Sequence, residues 1–163
     1  MKIKAVVDFA LQFGVKLTFN ENLLVERDGR IFLLNNQIKP LLVKGDFFYA
    51  GIFLGKIRAN KFFPSFNLLS IIATQKANKI IVDQKAGWLF ICGRDIFKKG
   101  IVQTYGRIQR NCHVLIFNEF GECLGFGRVL TELTQQQPQT DKNMPAVANV
   151  LDIGDFLRRE RKT

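Results

Sequence analysis

Cys112 and His113 set a thiol beside the single imidazole of the chain, the two groups from which a nucleophile and its base are made. That chemistry needs the two side chains to converge, and neighbours on an extended strand point to opposite faces. The apolar run Val114–Phe117 predicts such a strand, so the pair reads as structural. Zinc calls for about four ligands in close-set pairs, whereas Cys92, Cys112, Cys123 and His113 are scattered. The three cysteines read as free, buried thiols of a reducing, cytoplasmic compartment. The segment Gly121-Glu122-Cys123-Leu124-Gly125-Phe126-Gly127 has the glycine density of a phosphate cradle. A cradle lies between a strand and a helix, and here strand-like residues follow, so a tight hairpin is expected. The carboxylates Asp8, Asp28, Asp46, Asp83, Asp95, Asp152 and Asp155 stand singly. Asp28 belongs to a turn, Asp95 is expected to cap the turn at Ile96-Phe97, and Asp152 and Asp155 the last helical turn. No acid–base couple, metal site or cofactor site emerges.

The basic residues point to binding. Lys and Arg number 24 against 14 Asp and Glu, a net charge of +10. That balance favours a polyanionic partner, nucleic acid first. Residues 1–77 hold 11 basic and 5 acidic side chains, and residues 78–163 hold 13 and 9, so the charge is not confined to a tail. Arg94, Lys98 and Lys99 gather around one glycine-flanked turn. Arg107 and Arg110 follow a strand, Arg128 lies in a late strand, and Arg158, Arg159, Arg161 and Lys162 close the sequence. Guanidinium groups suit two-pronged phosphate contacts; if a barrel gathers its strand ends, these residues form one patch. The 16 phenylalanines read mainly as core, and Tyr105, between Thr104 and Gly106-Arg107, is the better candidate for stacking on a base. A membrane reading is disfavoured: the longest uncharged run, Phe62–Gln75, is short of the ~20 apolar residues of a span and contains Pro64. Asp8 interrupts the N-terminal run before a signal peptide could form.

These groups must be positioned by two kinds of texture. Ile3, Val6, Val7, Ala10, Leu11 and Phe13 follow a helical period and predict a helix over 3–13. Arg27-Asp28-Gly29 predicts a hairpin between Leu23–Glu26 and Arg30–Leu34. Ile38–Val43 is expected as a third strand, at an edge because of Pro40. Gly51–Ile57 and Lys61–Phe66 read as further strands around Ala59-Asn60, and Asn67 as the N-cap of a short helix. From Lys79 the sequence breaks into short apolar runs punctuated by glycine: Ile80–Val82, Trp88–Cys92, Ile101–Thr104, Val114–Phe117, Leu124–Leu130 and Val147–Val150. These predict a small barrel, with Asn118–Glu122 as a hairpin loop and 133–145 as an exposed loop. The fold class is therefore α+β: an N-terminal antiparallel sheet with helices over 1–77, then a small β-barrel over 78–163.

Three segments carry a family resemblance: Gly93-Arg94-Asp95-Ile96-Phe97-Lys98-Lys99-Gly100-Ile101, Leu124-Gly125-Phe126-Gly127, and Asp152-Ile153-Gly154-Asp155-Phe156-Leu157-Arg158-Arg159. In that order they resemble the landmarks of a PUA domain, an RNA-binding module. With Leu54-Gly55-Lys56-Ile57 and Lys61-Phe62 upstream, the whole resembles an archaeal member of the Nip-seven family of ribosome-biogenesis factors. The resemblance implies an N-terminal pre-PUA-like domain and a C-terminal PUA-like barrel. It implies RNA binding, a part in pre-rRNA processing and large-subunit assembly, and no catalysis. It also implies RNA contacts at Arg158 and Arg159, with Arg161 and Lys162 beside them, and assembly-protein partners for residues 1–77. The Gln135–Gln137 run and the doubled Lys98-Lys99 depart from the family pattern.

Two other readings stand beside it. An RNA-modifying enzyme, or its accessory subunit, with an appended barrel would need its chemistry in residues 1–77, which contain no histidine, no cysteine and no nucleotide-binding glycine loop. A protein-interaction adaptor in a ribonucleoprotein would use the same residues for docking.

Overall fold

The computed structural model describes residues 2–44, 47–133, 144–155 and 158. Residues 1–11 and 15–72 form one compact unit, and residues 12–14 and 73–163 form another. Among the described residues no helix is long and apolar enough to cross a membrane.

The first unit begins with helix α1 (Lys2–Leu11), whose Val6, Phe9 and Ala10 are buried at the i, i+3, i+4 spacing of one helix face. Phe9 meets the Phe62 ring edge-on at 5.6 Å. Strands β1 (Leu24–Arg27), β2 (Arg30–Leu33), β3 (Ile52–Arg58) and β4 (Lys61–Pro64) form an antiparallel meander in that order. Two-residue turns close its hairpins, Asp28-Gly29 at φ 50° and 74° and Ala59-Asn60 at φ 48° and 59°. Paired left-handed residues match the right-handed twist of the flanking strands.

The expected strand over 38–43 is instead a 3-10 helix, Lys39–Lys44. Asn35 Oδ1 accepts from the N–H groups of Gln37 and Ile38, at 3.0 and 2.8 Å, which curls the chain, and Pro40 has no N–H for a ladder. Ile38 and Leu42 pack with Phe47 on buried Phe32, Leu34 and Ala50. Helix α2 (Phe66–Ala73) buries Leu68, Leu69 and Ile72. Its cap is Ser65, whose Oγ accepts from Leu68 N–H at 3.2 Å, rather than Asn67, whose amide donates to the Phe53 carbonyl.

The second unit contains β5 (Lys79–Val82), α3 (Gln84–Ile91), β6 (Ile96–Phe97), β7 (Ile101–Tyr105), β8 (His113–Phe117), β9 (Cys123–Val129) and β10 (Pro145–Asp152). The strands make one curled half-barrel sheet in the order β6-β10-β9-β8-β5-β7, antiparallel except for the β5–β8 pair. Ile80, Val82, Phe90, Ile96, Val114, Ile116, Val129, Ala146 and Val147 form its core. The mixed α+β class is as the sequence predicts.

One element differs in kind. Trp88–Cys92 lies in the last turn and C-cap of α3, not in a strand. Asp83 Oδ1 accepts from Ala86 N–H at 2.7 Å and starts the helix. Gly87 and Phe90, three apart, then turn inward while Trp88 and Leu89 face solvent. A short apolar run has no periodicity long enough to separate these alternatives. The expected loop over 133–145 falls mostly outside the described residues.

Candidate nucleic-acid interface

Helix α3 and the segment from Asp95 to Gly100 enclose a cleft of about 320 Å³, lined by Asp83, Lys85, Ala86, Leu89, Phe97 and Lys99 among others. Its apolar walls are open: Leu89 is 39% and Phe97 37% exposed. The Lys99 ammonium stands 6.0 Å from the centre of the Phe97 ring. Lys85 is exposed on the facing helix. An aromatic face and an aliphatic wall flanked by two ammonium groups suit a nucleobase and its neighbouring phosphates. Asp83 and Asp95 also line the cleft, and both carboxylates are engaged by backbone N–H groups.

The loop beyond α3 is held from β10. Asn149 N–H donates to Asp95 Oδ1 at 2.9 Å and Asn149 Nδ2 to the Phe90 carbonyl at 2.8 Å. Asp95 is thus a cross-element acceptor, not the cap of a turn at Ile96. Asp152 is 1% exposed and receives the Arg158 guanidinium fork, Nη1 to Oδ1 at 3.0 Å and Nη2 to Oδ2 at 2.6 Å. Arg158 Nη1 also donates to the Ile91 carbonyl at 2.6 Å. The Asp152 bond raises the guanidinium pKa further. Asp152 is therefore an ion-pair partner rather than a helix cap. Gly154 makes room for this fork, because a Cβ there would meet Ile91 O and Arg158 Nη1.

The basic residues marked by sequence fall into separate groups. Arg94 is exposed in the loop after α3, its N–H bonded to the Leu89 carbonyl. Lys98 is half-buried beside Lys99 in the 3-10 turn Lys98–Gly100. Arg107 lies beyond the other end of β7, its N–H held by Asn78 Oδ1 at 2.9 Å. Five strand residues, about 3.3 Å each, separate it from the lysine turn. Arg128 is exposed on β9 opposite His113. Tyr105 lies with Lys79, whose ammonium is 4.8 Å from the ring centre. Arg110 is exposed. Arg159, Arg161 and Lys162 lie outside the described residues. Lys85, Leu89 and Phe97 are cleft residues that sequence reading missed; taking 88–92 as a strand hid the helix face that carries Lys85 and Leu89. Asp83 before an apolar run was the available cap signal.

His113 lies between Phe13 and Phe126, 5.9 and 5.6 Å between ring centres. Burial, with Arg128 assisting, pushes its pKa below the ordinary 6.5. Cys112 Sγ accepts from Gln109 N–H at 3.3 Å, and burial raises the Cys123 thiol pKa. Among the described residues no three His, Cys, Asp or Glu side chains converge as a metal site would require. A second cleft, about 500 Å³ and lined by Trp88, Ile91, Phe120 and Leu124, is rimmed by Glu119 and Glu122. Lys85 lines both clefts, but only the first adds Lys99 and has its two carboxylates engaged by backbone N–H groups, so it suits phosphate better.

Residues 78–161 match the family profile described as the UPF0113 PUA domain. A UPF0113 protein of Archaeoglobus fulgidus is 28% identical over 117 residues, 69% of this chain and 63% of the relative. The chain thus spans less than two thirds of that relative's length. Two solved structures share the fold over 98% of the chain. A PUA-domain protein from Thermoplasma acidophilum has a TM-score of 0.59, 18% identity and 95% of its own length covered. A hypothetical protein from Pyrococcus horikoshii OT3 has a TM-score of 0.55, 16% identity and 93% covered.

Proposed function

Because the chain belongs to the UPF0113 PUA domain family, a family built on a generally RNA-binding fold, we propose that it is a non-catalytic RNA-binding factor acting in ribosome biogenesis. The observation that carries the binding half of this reading is the α3 cleft, where Lys85 and Lys99 flank Phe97 and Leu89. In this reading a single-stranded base stacks on Phe97 while its phosphates meet the two lysines. Arg94 and Lys98 adjoin the cleft in sequence and extend the positive field along the strand. Arg159, Arg161 and Lys162 supply further contacts from the C-terminal segment, as the family resemblance implies. Arg107 and Arg128, on other elements, serve a longer RNA. The role in pre-rRNA processing and large-subunit assembly, and protein partners for residues 1–77, rest on the resemblance to the Nip-seven family.

The test is titration of a fluorescent oligouridylate with the full chain across a salt series. Each phosphate neutralised on a single strand contributes about −0.7 to the slope of log K against log salt. Binding that falls steeply with salt, and falls again for Lys85→Gln with Lys99→Gln, supports the reading. Salt-independent binding, or none at low salt, sinks it. For the assembly role, co-sedimentation with precursor large subunits in cell extracts is the expected result, and restriction to free fractions counts against it.

A further inference from the structure

We infer that the uncovered end of one face of the four-stranded sheet in the first unit, beyond the cluster that covers Phe32, is a second, independent surface for single-stranded RNA. The inference rests on the RNA-binding reading but concerns elements that reading does not use. Directly opposed residues on neighbouring antiparallel strands project from the same face. The register pairs Arg27 with Arg30, Arg30 with Lys56, and Lys56 with Phe63. One row thus carries three cations across three strands and ends on an aromatic ring in the fourth. The next row pairs Arg58 with Lys61. Lys56, Arg58 and Lys61 are exposed, and Phe63 is 46% exposed. The opposite face carries Gly55, Ile57 and Phe62 toward α1.

Like charges placed directly opposite one another destabilise a sheet, and here three such pairs stand in two adjoining rows. Arg27 and Arg30 are compensated by the Phe47 and Phe48 rings, 5.1 and 4.3 Å from their guanidinium carbons, whereas Lys56, Arg58 and Lys61 are exposed and a polyanion laid across the rows would offset their repulsion. Asp28 lies in the hairpin turn, 3.7 Å from Arg27, and Glu26, paired with Ile31, belongs to the other face.

Aromatic rings favour nucleic acid over other polyanions. The Arg30 guanidinium lies 4.3 Å from the centre of the Phe48 ring and donates to the Phe48 carbonyl at 3.3 Å. Phe48 is 78% exposed, so its ring is fixed at the border of the cationic rows with a face open. Phe63 stands at the other border. Cations step about 4.8 Å from strand to strand and about 7 Å from row to row, so the rows offer phosphate positions between two base-stacking rings.

The test uses the full chain and a short oligouridylate carrying 4-thiouridine. Irradiation is expected to crosslink peptides containing Phe48 or Phe63 in the unaltered protein. Replacing Lys56, Arg58 and Lys61 together with Gln should make the salt slope shallower by about 2, from three lost single-strand phosphate contacts. The thermal midpoint should hold or rise as like-charge pairs disappear. Crosslinks confined to residues 73–163 with an unchanged slope overturn this inference and leave the proposed function standing. No RNA binding by the parent chain overturns both. Loss of binding to phosphatidylserine vesicles in the triple variant, with RNA binding intact, overturns it in favour of a lipid surface.

Discussion

Arg158 and Asp152 meet fork to fork, with parallel bonds of 3.0 and 2.6 Å, and the same guanidinium ties the Ile91 carbonyl at 2.6 Å. One arginine thus joins the end of β10 to the end of α3, the helix that walls the cleft. A guanidinium does this because its donors lie in a rigid plane; an ammonium offers the charge without the fork.

Arg158→Lys separates a strut from a phosphate contact. The strut role predicts a thermal midpoint several degrees lower than the parent's, close to that of Arg158→Ala, in differential scanning fluorimetry. A midpoint equal to the parent's would show that charge alone suffices there.

Phe97→Ala should weaken oligouridylate binding by about 1–3 kcal/mol, the range for one lost base–aromatic stack, with the salt slope unchanged. Lys99→Gln should instead reduce the slope by about 0.7, one phosphate on a single strand. Fluorescence anisotropy at several salt concentrations reads both.

His113 couples stability to pH. Its folded pKa is depressed by burial and by Arg128, so the unfolded chain binds the proton more readily. Stability should be full above the ordinary pKa of about 6.5 and decline as pH falls below it toward the folded value. Urea midpoints across that window should show the decline, and His113→Asn should flatten it.

Asn78 is buried and joins three segments. Its N–H donates to the Phe13 carbonyl, its carbonyl accepts from Leu115 N–H, and its Oδ1 accepts from Arg107 N–H at 2.9 Å. Asn78→Ala strips the side-chain acceptor and leaves that N–H to water or to nothing. A loss of about 1–3 kcal/mol is expected in chemical unfolding.

Local chemistry was legible along the chain. Asp28-Gly29 specified its hairpin because both residues tolerate φ above zero, and the helical spacing of Val6 and Ala10 specified the buried face of α1. The glycine-rich 121–127 segment was readable as a hairpin because strand residues follow it. Where two local solutions share one pattern, legibility ended. The apolar stretch 88–92 suits a strand or a helix, and a single side-chain bond from Asp83 to Ala86 N–H, with Phe90 packed in the core, selected the helix.

The candidate site divides in the same way. Net charge and the basic clusters pointed to a polyanion, and the three landmark segments marked the half of the chain that matches the UPF0113 PUA domain family. Only tertiary structure could distinguish Arg158, which donates to Asp152 and the Ile91 carbonyl, from Lys99, which lines a cleft. Composition counts a charge identically wherever it lies, whereas a bond between residues 67 positions apart exists only once the chain has folded. The cationic rows of the first sheet have the same origin. Nothing in sequence groups Arg27, Arg30, Lys56, Arg58 and Lys61 as cations, and strand register sets them side by side.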